Sequence, residues 1–167
     1  DNAGVRRGLT ESGSTARTYT YTYDGARRLT REQLTATGAT RSIAWTYDAA
    51  GNRLTETRTG TLPSVTTNTY DDNDRLTQGV VTGTGAGTTT YVYDDAGNLT
   101  ERRAPGGIEL YGFDDAGRLA QHTAPGGAVT RYAYAHDGTR LAQTANADGA
   151  SPATTHYVVD PTHAHAQ

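Results

Sequence analysis

The chain has 167 residues and a formal net charge of −3, and only 34% of its residues are hydrophobic. Its aromatic content is 11 Tyr against one Trp and one Phe. A compact globule carries more Leu, Ile, Val and Phe, and a disordered chain carries fewer aromatics and more net charge. A thin β architecture remains, in which each strand buries one face.

All 15 basic residues are arginine, interleaved with 18 Asp and Glu. That pattern is not the basic stripe of a nucleic-acid binder; it suits cross-strand pairing with acidic residues. Cysteine is absent, which excludes disulfides and thiolate metal sites. No apolar run approaches the roughly 18 residues of a membrane span, and no signal peptide is recognisable.

In chain order, Asp1-Asn2-Ala3-Gly4 followed by Leu9-Thr10 reads as a repeat entered part-way. Complete units follow, each an aromatic strand, an acidic turn and a leucine-bearing return. The first carries Tyr21, Tyr23, Asp24 and Leu29, and the second Trp45, Tyr47, Asp48, Gly51 and Leu54. Tyr70, Asp71 and Leu76 mark the third, and Tyr91, Tyr93, Asp94, Gly97 and Leu99 the fourth. Tyr111, Phe113, Asp114, Gly117 and Leu119 follow, then Tyr132, Tyr134 and Leu141, and last Tyr157 and Asp160. The turn positions recur every 20–25 residues, a spacing typical of repeats built from one supersecondary element. The expected organisation is a single array of about seven units over 1–167, cut from a longer array.

Each unit is predicted to be a β-hairpin. In Thr18–Tyr23 tyrosine and threonine alternate strictly, placing three tyrosines on one face and three threonines on the other. Aspartate at the turn entrance can accept backbone hydrogen bonds, and glycine three residues on supplies positive φ. Asp74 tolerates that conformation; Arg27 does not, so the first turn is expected to be shaped differently. The returning leucines are the expected buried positions. Ala104-Pro105-Gly106-Gly107 and Ala124-Pro125-Gly126-Gly127 suit type II turns. No apolar helical period is present, so the chain is predicted to be all-β.

No motif for chemistry stands out. Asp71-Asp72-Asn73-Asp74 lacks the acidic twelfth position of a calcium loop, which is Thr82 here. Turn-capping explains it more simply. His156, His163 and His165 have no second ligand set to fix a metal. Ser64, His122 and Asp114 make a triad only on paper. The expectation is no enzyme, no cofactor and no metal. Aligned tyrosines are expected to pack across strands; binding of glycans or a partner protein through tyrosine and arginine is the alternative.

The motif Tyr-x-Tyr-Asp-x-x-Gly-Asn/Arg-Leu-Thr at this period resembles the YD repeats of bacterial Rhs proteins, also found in the B and C components of insecticidal toxin complexes and in teneurins. The resemblance covers essentially the whole chain. It implies a spiralling antiparallel β-strip that forms part of a shell or fibre, in a secreted or cell-surface protein, enclosing a toxin or serving as an adhesion surface. The partners it implies are further repeats or other copies joined through open strand edges, an enclosed toxin domain or surface glycans. The family's self-cleaving Asp-Pro-x-Gly stretch has no counterpart: Asp160-Pro161 is followed by Thr162-His163, so no catalytic aspartate is carried over.

Overall fold

A computed structural model describes residues 4–12, 16–36 and 38–157. Among them only strands form: β1 (Gly8–Glu11), β2 (Arg17–Tyr23), β3 (Leu29–Ala36), β4 (Ala39–Tyr47), β5 (Arg53–Thr59), β6 (Ser64–Tyr70), β7 (Leu76–Gly83), β8 (Gly87–Tyr93), β9 (Leu99–Ala104), β10 (Gly107–Phe113), β11 (Leu119–Thr123), β12 (Val129–Tyr134), β13 (Arg140–Ala145) and β14 (Ala153–His156). The chain divides into two compact units, Asp1–Thr89 and Thr90–Gln167. In the first, β1 to β7 pair antiparallel in chain order. In the second, β8 to β14 do the same. The all-β antiparallel strip of hairpins expected from the sequence is the fold observed.

Tyr19, Tyr21 and Tyr23 are half-buried while Thr18, Thr20 and Thr22 are exposed, as strict alternation on a pleated strand requires. With no second layer, little is enclosed. Leu34 and Val129 at 9% exposure and Ser42 at 8% are the most buried residues, and no described side chain is fully enclosed.

The acidic turns share one geometry. The Asp24 N–H donates to the Arg28 carbonyl at 3.0 Å and the Arg27 N–H to the Asp24 carbonyl at 3.0 Å. The same pair of bonds recurs at Asp48, Asp71, Asp94 and Asp114, and with alanine in the aspartate's place at Ala124 and Ala135. Two expectations are corrected here. Arg27 adopts φ 65° and closes the same turn as the glycines at 51, 97 and 117, because the Asp24 carboxylate holds the backbone in place. The proline turns are not type II, since positive φ falls on Gly107 and Gly127 rather than on Gly106 and Gly126. Arg27→Gly relieves the left-handed strain, about 1 kcal/mol, and is expected to raise the unfolding midpoint in a thermal melt.

Each hairpin also carries a bulge just before its last aromatic. Thr22 pairs with Arg31 but Tyr23 with Leu29, leaving Thr30 as the extra residue. Thr77 and Thr100 occupy the same place in β6/β7 and β8/β9. These threonine hydroxyls donate back to the Thr22, Thr69 and Val92 carbonyls at 3.1, 3.0 and 3.2 Å. The bulge turns the return strand so that leucine and aromatic share a face. Leu29, Leu76, Leu99 and Leu119, each opposite that aromatic, are accordingly half-buried, and Leu54, which falls in its own bulge, is half-buried as well. Leu141 departs from the expected burial: it stands 44% exposed, although Leu54 takes the same bulge position, with Arg53 opposite Tyr47 as Arg140 is opposite Tyr134, and stays half-buried.

Candidate functional site

The residues that recur in the sequence meet where one hairpin adjoins the next. Their chemistry starts in the turn. The Asp24 carboxylate accepts the Ala26 and Arg28 N–H groups at 2.9 Å each through Oδ1 and the Arg28 Nε at 2.7 Å through Oδ2. Asp71 and Asp114 repeat this arrangement with Arg75 and Arg118. Asp48 and Asp94 use Asn52 and Asn98 instead.

An arginine held in this way points into the next hairpin. Arg28 donates to the Asp48 carbonyl at 2.9 Å, and its guanidinium lies over the Tyr47 ring at 4.8 Å. Arg118 donates to the Ala135 carbonyl at 2.8 Å and lies over Tyr134 at 4.9 Å. The tyrosine reaches back: the hydroxyls of Tyr23, Tyr47, Tyr70 and Tyr134 donate to the carbonyls of Arg6, Leu29, Arg53 and Leu119 at 2.8–3.0 Å. Tyr157 bonds Gln143 and is covered by Arg140 at 4.6 Å. Each hydroxyl bond is worth about 1 kcal/mol, and each cation over a ring about 0.5–1 kcal/mol. Tyrosine, aspartate and the arginine four residues on thus form a latch between successive hairpins. Most arginine pairs run within a turn or along one strand; Arg102 to Glu109 is a cross-strand pair.

The turn carboxylates titrate low. The Arg28 side-chain hydrogen bond is the main cause at Asp24, the Asn98 side chain at Asp94, and the backbone N–H groups of Arg75 and Arg118 at Asp71 and Asp114. A depressed folded pKa contributes stability above the unfolded value, lost as pH falls through the folded one. The thermal midpoint is therefore expected to hold from neutrality down to the ordinary aspartate range and to fall below it. Asp71→Asn should flatten part of that fall.

The residues considered for chemistry are engaged elsewhere or lie on different elements. Asp114 spends both carboxylate oxygens on its own turn, His122 faces Glu109 with Nε2 3.9 Å from a carboxylate oxygen, and Ser64 lies on β6. His156 is exposed on β14, while His163, His165 and Asp160 lie outside the described residues. No group of three or more His, Asp or Glu gathers as a metal site among the described residues. The Asp71 carboxylate caps its turn. No described helix could cross a membrane.

Two clusters escaped the sequence reading. Glu56 accepts Trp45 Nε1 at 2.8 Å and Arg58 Nε at 2.7 Å. In the second, the Tyr111 hydroxyl donates to Glu109, Arg102 meets the same carboxylate at 3.1 Å, and the His122 ring stacks on Tyr111 at 5.1 Å. Their signal, a glutamate on the tyrosine face, could be found only by knowing the register.

The sequence matches the family described as Teneurin YD-shell over residues 5–153. No curated protein matches the chain. Among solved structures it is similar to the crystal structure of TcdB2-TccC3-Cdc42, with TM-score 0.70 and 20% identity, covering 92% of this chain and 9% of that one. The crystal structure of TcdB2-TccC3 gives TM-score 0.68 at 20% identity, covering 89% of this chain and 9% of that one. Likeness at this identity establishes the fold.

Proposed function

The chain belongs to the teneurin YD-shell family, and on that premise we propose that it is a non-catalytic wall segment of a larger β-shell in a secreted or cell-surface protein. The observation that carries this reading is the latch. Groups that would otherwise be available for chemistry or recognition are committed to joining one hairpin to the next, as at Arg28, Tyr47 and Asp48. The tyrosine and aspartate positions from Tyr21 to Tyr157 are structural in this account, and the chain is one array of about seven units continuous with further repeats. Strands β1 and β14 are the edges through which neighbouring repeats would add, since an unpaired edge is a template for another strand. The shell encloses a polypeptide cargo, a toxin domain in the reading the family suggests.

Tyrosine-mediated glycan binding fits less well, because the hydroxyls of Tyr47, Tyr70 and Tyr134 are already engaged with carbonyls. Electron microscopy of the complete protein containing this chain tests the proposal. A closed shell with protease-protected material inside is the expected result. An open filament, or an interior digested as fast as the outside, overturns enclosure.

A further inference from the structure

Between neighbouring hairpins the backbone ladder stops three residues short of the last aromatic. It ends at Arg31↔Ala44 before Tyr47, at Thr55↔Thr67 before Tyr70 and at Gln121↔Arg131 before Tyr134. In each case the tyrosine hydroxyl closes the remaining wedge by reaching a carbonyl on the preceding hairpin. Between β9 and β10 the ladder ends likewise, at Glu101↔Leu110, three residues before Phe113. Phenylalanine has no hydroxyl.

The other two links are missing there as well. The residue four after the turn aspartate is Asn98, too short to reach over the next ring as Arg28 and Arg118 do. Asn52 makes up for the same substitution by donating its amide to Asp48 at 3.0 Å and to Asp74 in the next turn at 2.6 Å. The position corresponding to Asp74 in the turn after Asn98 is Gly117, which has no side chain to receive such a bond.

We propose that the β9–β10 seam is the opening joint of this stretch of sheet, held shut by a side-chain clasp in place of the latch. The clasp is Glu109, gripped by Arg102 from β9 at 3.1 Å and by the Tyr111 hydroxyl, with His122 of β11 stacked on Tyr111. Of these contacts, only Arg102 to Glu109 crosses the seam. A single half-buried ion pair still in contact with solvent is screened and weak beside a set of hydrogen bonds and a stacked ring. The joint therefore opens at a lower free energy than the neighbouring seams and locally, without unfolding of the hairpins on either side. The inference depends on register and residue chemistry, and it stands whether or not the shell proposal holds.

Hydrogen exchange of the whole 167-residue chain, read by mass spectrometry at neutral pH, tests it. Peptides covering 99–113 are expected to exchange about tenfold faster than those covering 119–134, after correction for intrinsic rates. Equal protection overturns the proposal. Glu109→Gln should speed exchange at 99–113 and leave 119–134 unchanged; a uniform change, or none, counts against the clasp. The double substitution Asn98→Arg with Phe113→Tyr installs the missing latch and should slow exchange at 99–113 to the level of 119–134. If it folds with the same circular dichroism and exchange there is unaltered, the proposed cause is wrong. If it fails to fold, the comparison of the two seams in the unaltered chain still decides.

Discussion

Replacing Tyr134 with alanine is expected to lower the unfolding free energy by about 2–4 kcal/mol, somewhat less than the ~3–5 kcal/mol for deleting a core aromatic because this ring is half-buried. Three interactions go together. The hydroxyl bond to Leu119 is lost, Arg118 loses the ring beneath its guanidinium, and the apolar surface of the seam is exposed. Tyr134→Phe separates them: it keeps the ring and should cost about 1 kcal/mol. Combined with Arg118→Lys, which keeps the charge but not the planar fork, the two sites should couple, since they touch. Urea unfolding of the four proteins closes the cycle; strict additivity would mean that the Tyr134 hydroxyl and the Arg118 guanidinium act independently.

The second large effect lies at Gly83, where φ is 82° and an added Cβ would sit 2.6 Å from the Pro63 carbonyl oxygen. Two costs add there: the left-handed backbone, about 1–2 kcal/mol, and displacement of a rigid segment. The Thr84 N–H bonds the same carbonyl at 2.9 Å, so the segment cannot retreat without giving up that bond. Gly85 is the control, with φ 76° and nothing within 4 Å of the added atom. Gly83→Ala is expected to destabilise by more than 2 kcal/mol and Gly85→Ala by the backbone strain alone. The difference between their denaturation midpoints measures the close approach. Equal losses would show that the loop at Pro63 yields.

Much of this was legible because the code is local. Alternating Thr18–Tyr23 dictates a strand with two unlike faces, and Asp24 followed three residues later by a left-handed position dictates a tight return; both signals sit within a few residues. Resemblance to YD repeats carried the rest of the architecture. What could not be read is set by register. Thr30 gives no hint in isolation that it is an extra residue whose hydroxyl closes a bulge, and Leu141 shares its register with Leu54 yet stands exposed where Leu54 is half-buried. Arg27 misled for a different reason: intrinsic preference weighed against a left-handed arginine, but the Asp24 carboxylate bonds two backbone N–H groups of that turn and imposes the conformation. The latch itself joins groups about twenty residues apart, such as Arg28 and Asp48, and repetition alone gives no direction for a side chain.

Among the described residues each strand pairs only with strands adjacent to it in the chain, and that has a consequence for how the polypeptide comes into being. With all pairings at short sequence separation, loop closure costs little and formation is fast. A hairpin can close as soon as its return strand leaves the ribosome, and each finished hairpin offers an edge on which the next is laid down. Growth proceeds from the N-terminus like courses of brick. An error in one course then stays confined to its two neighbours.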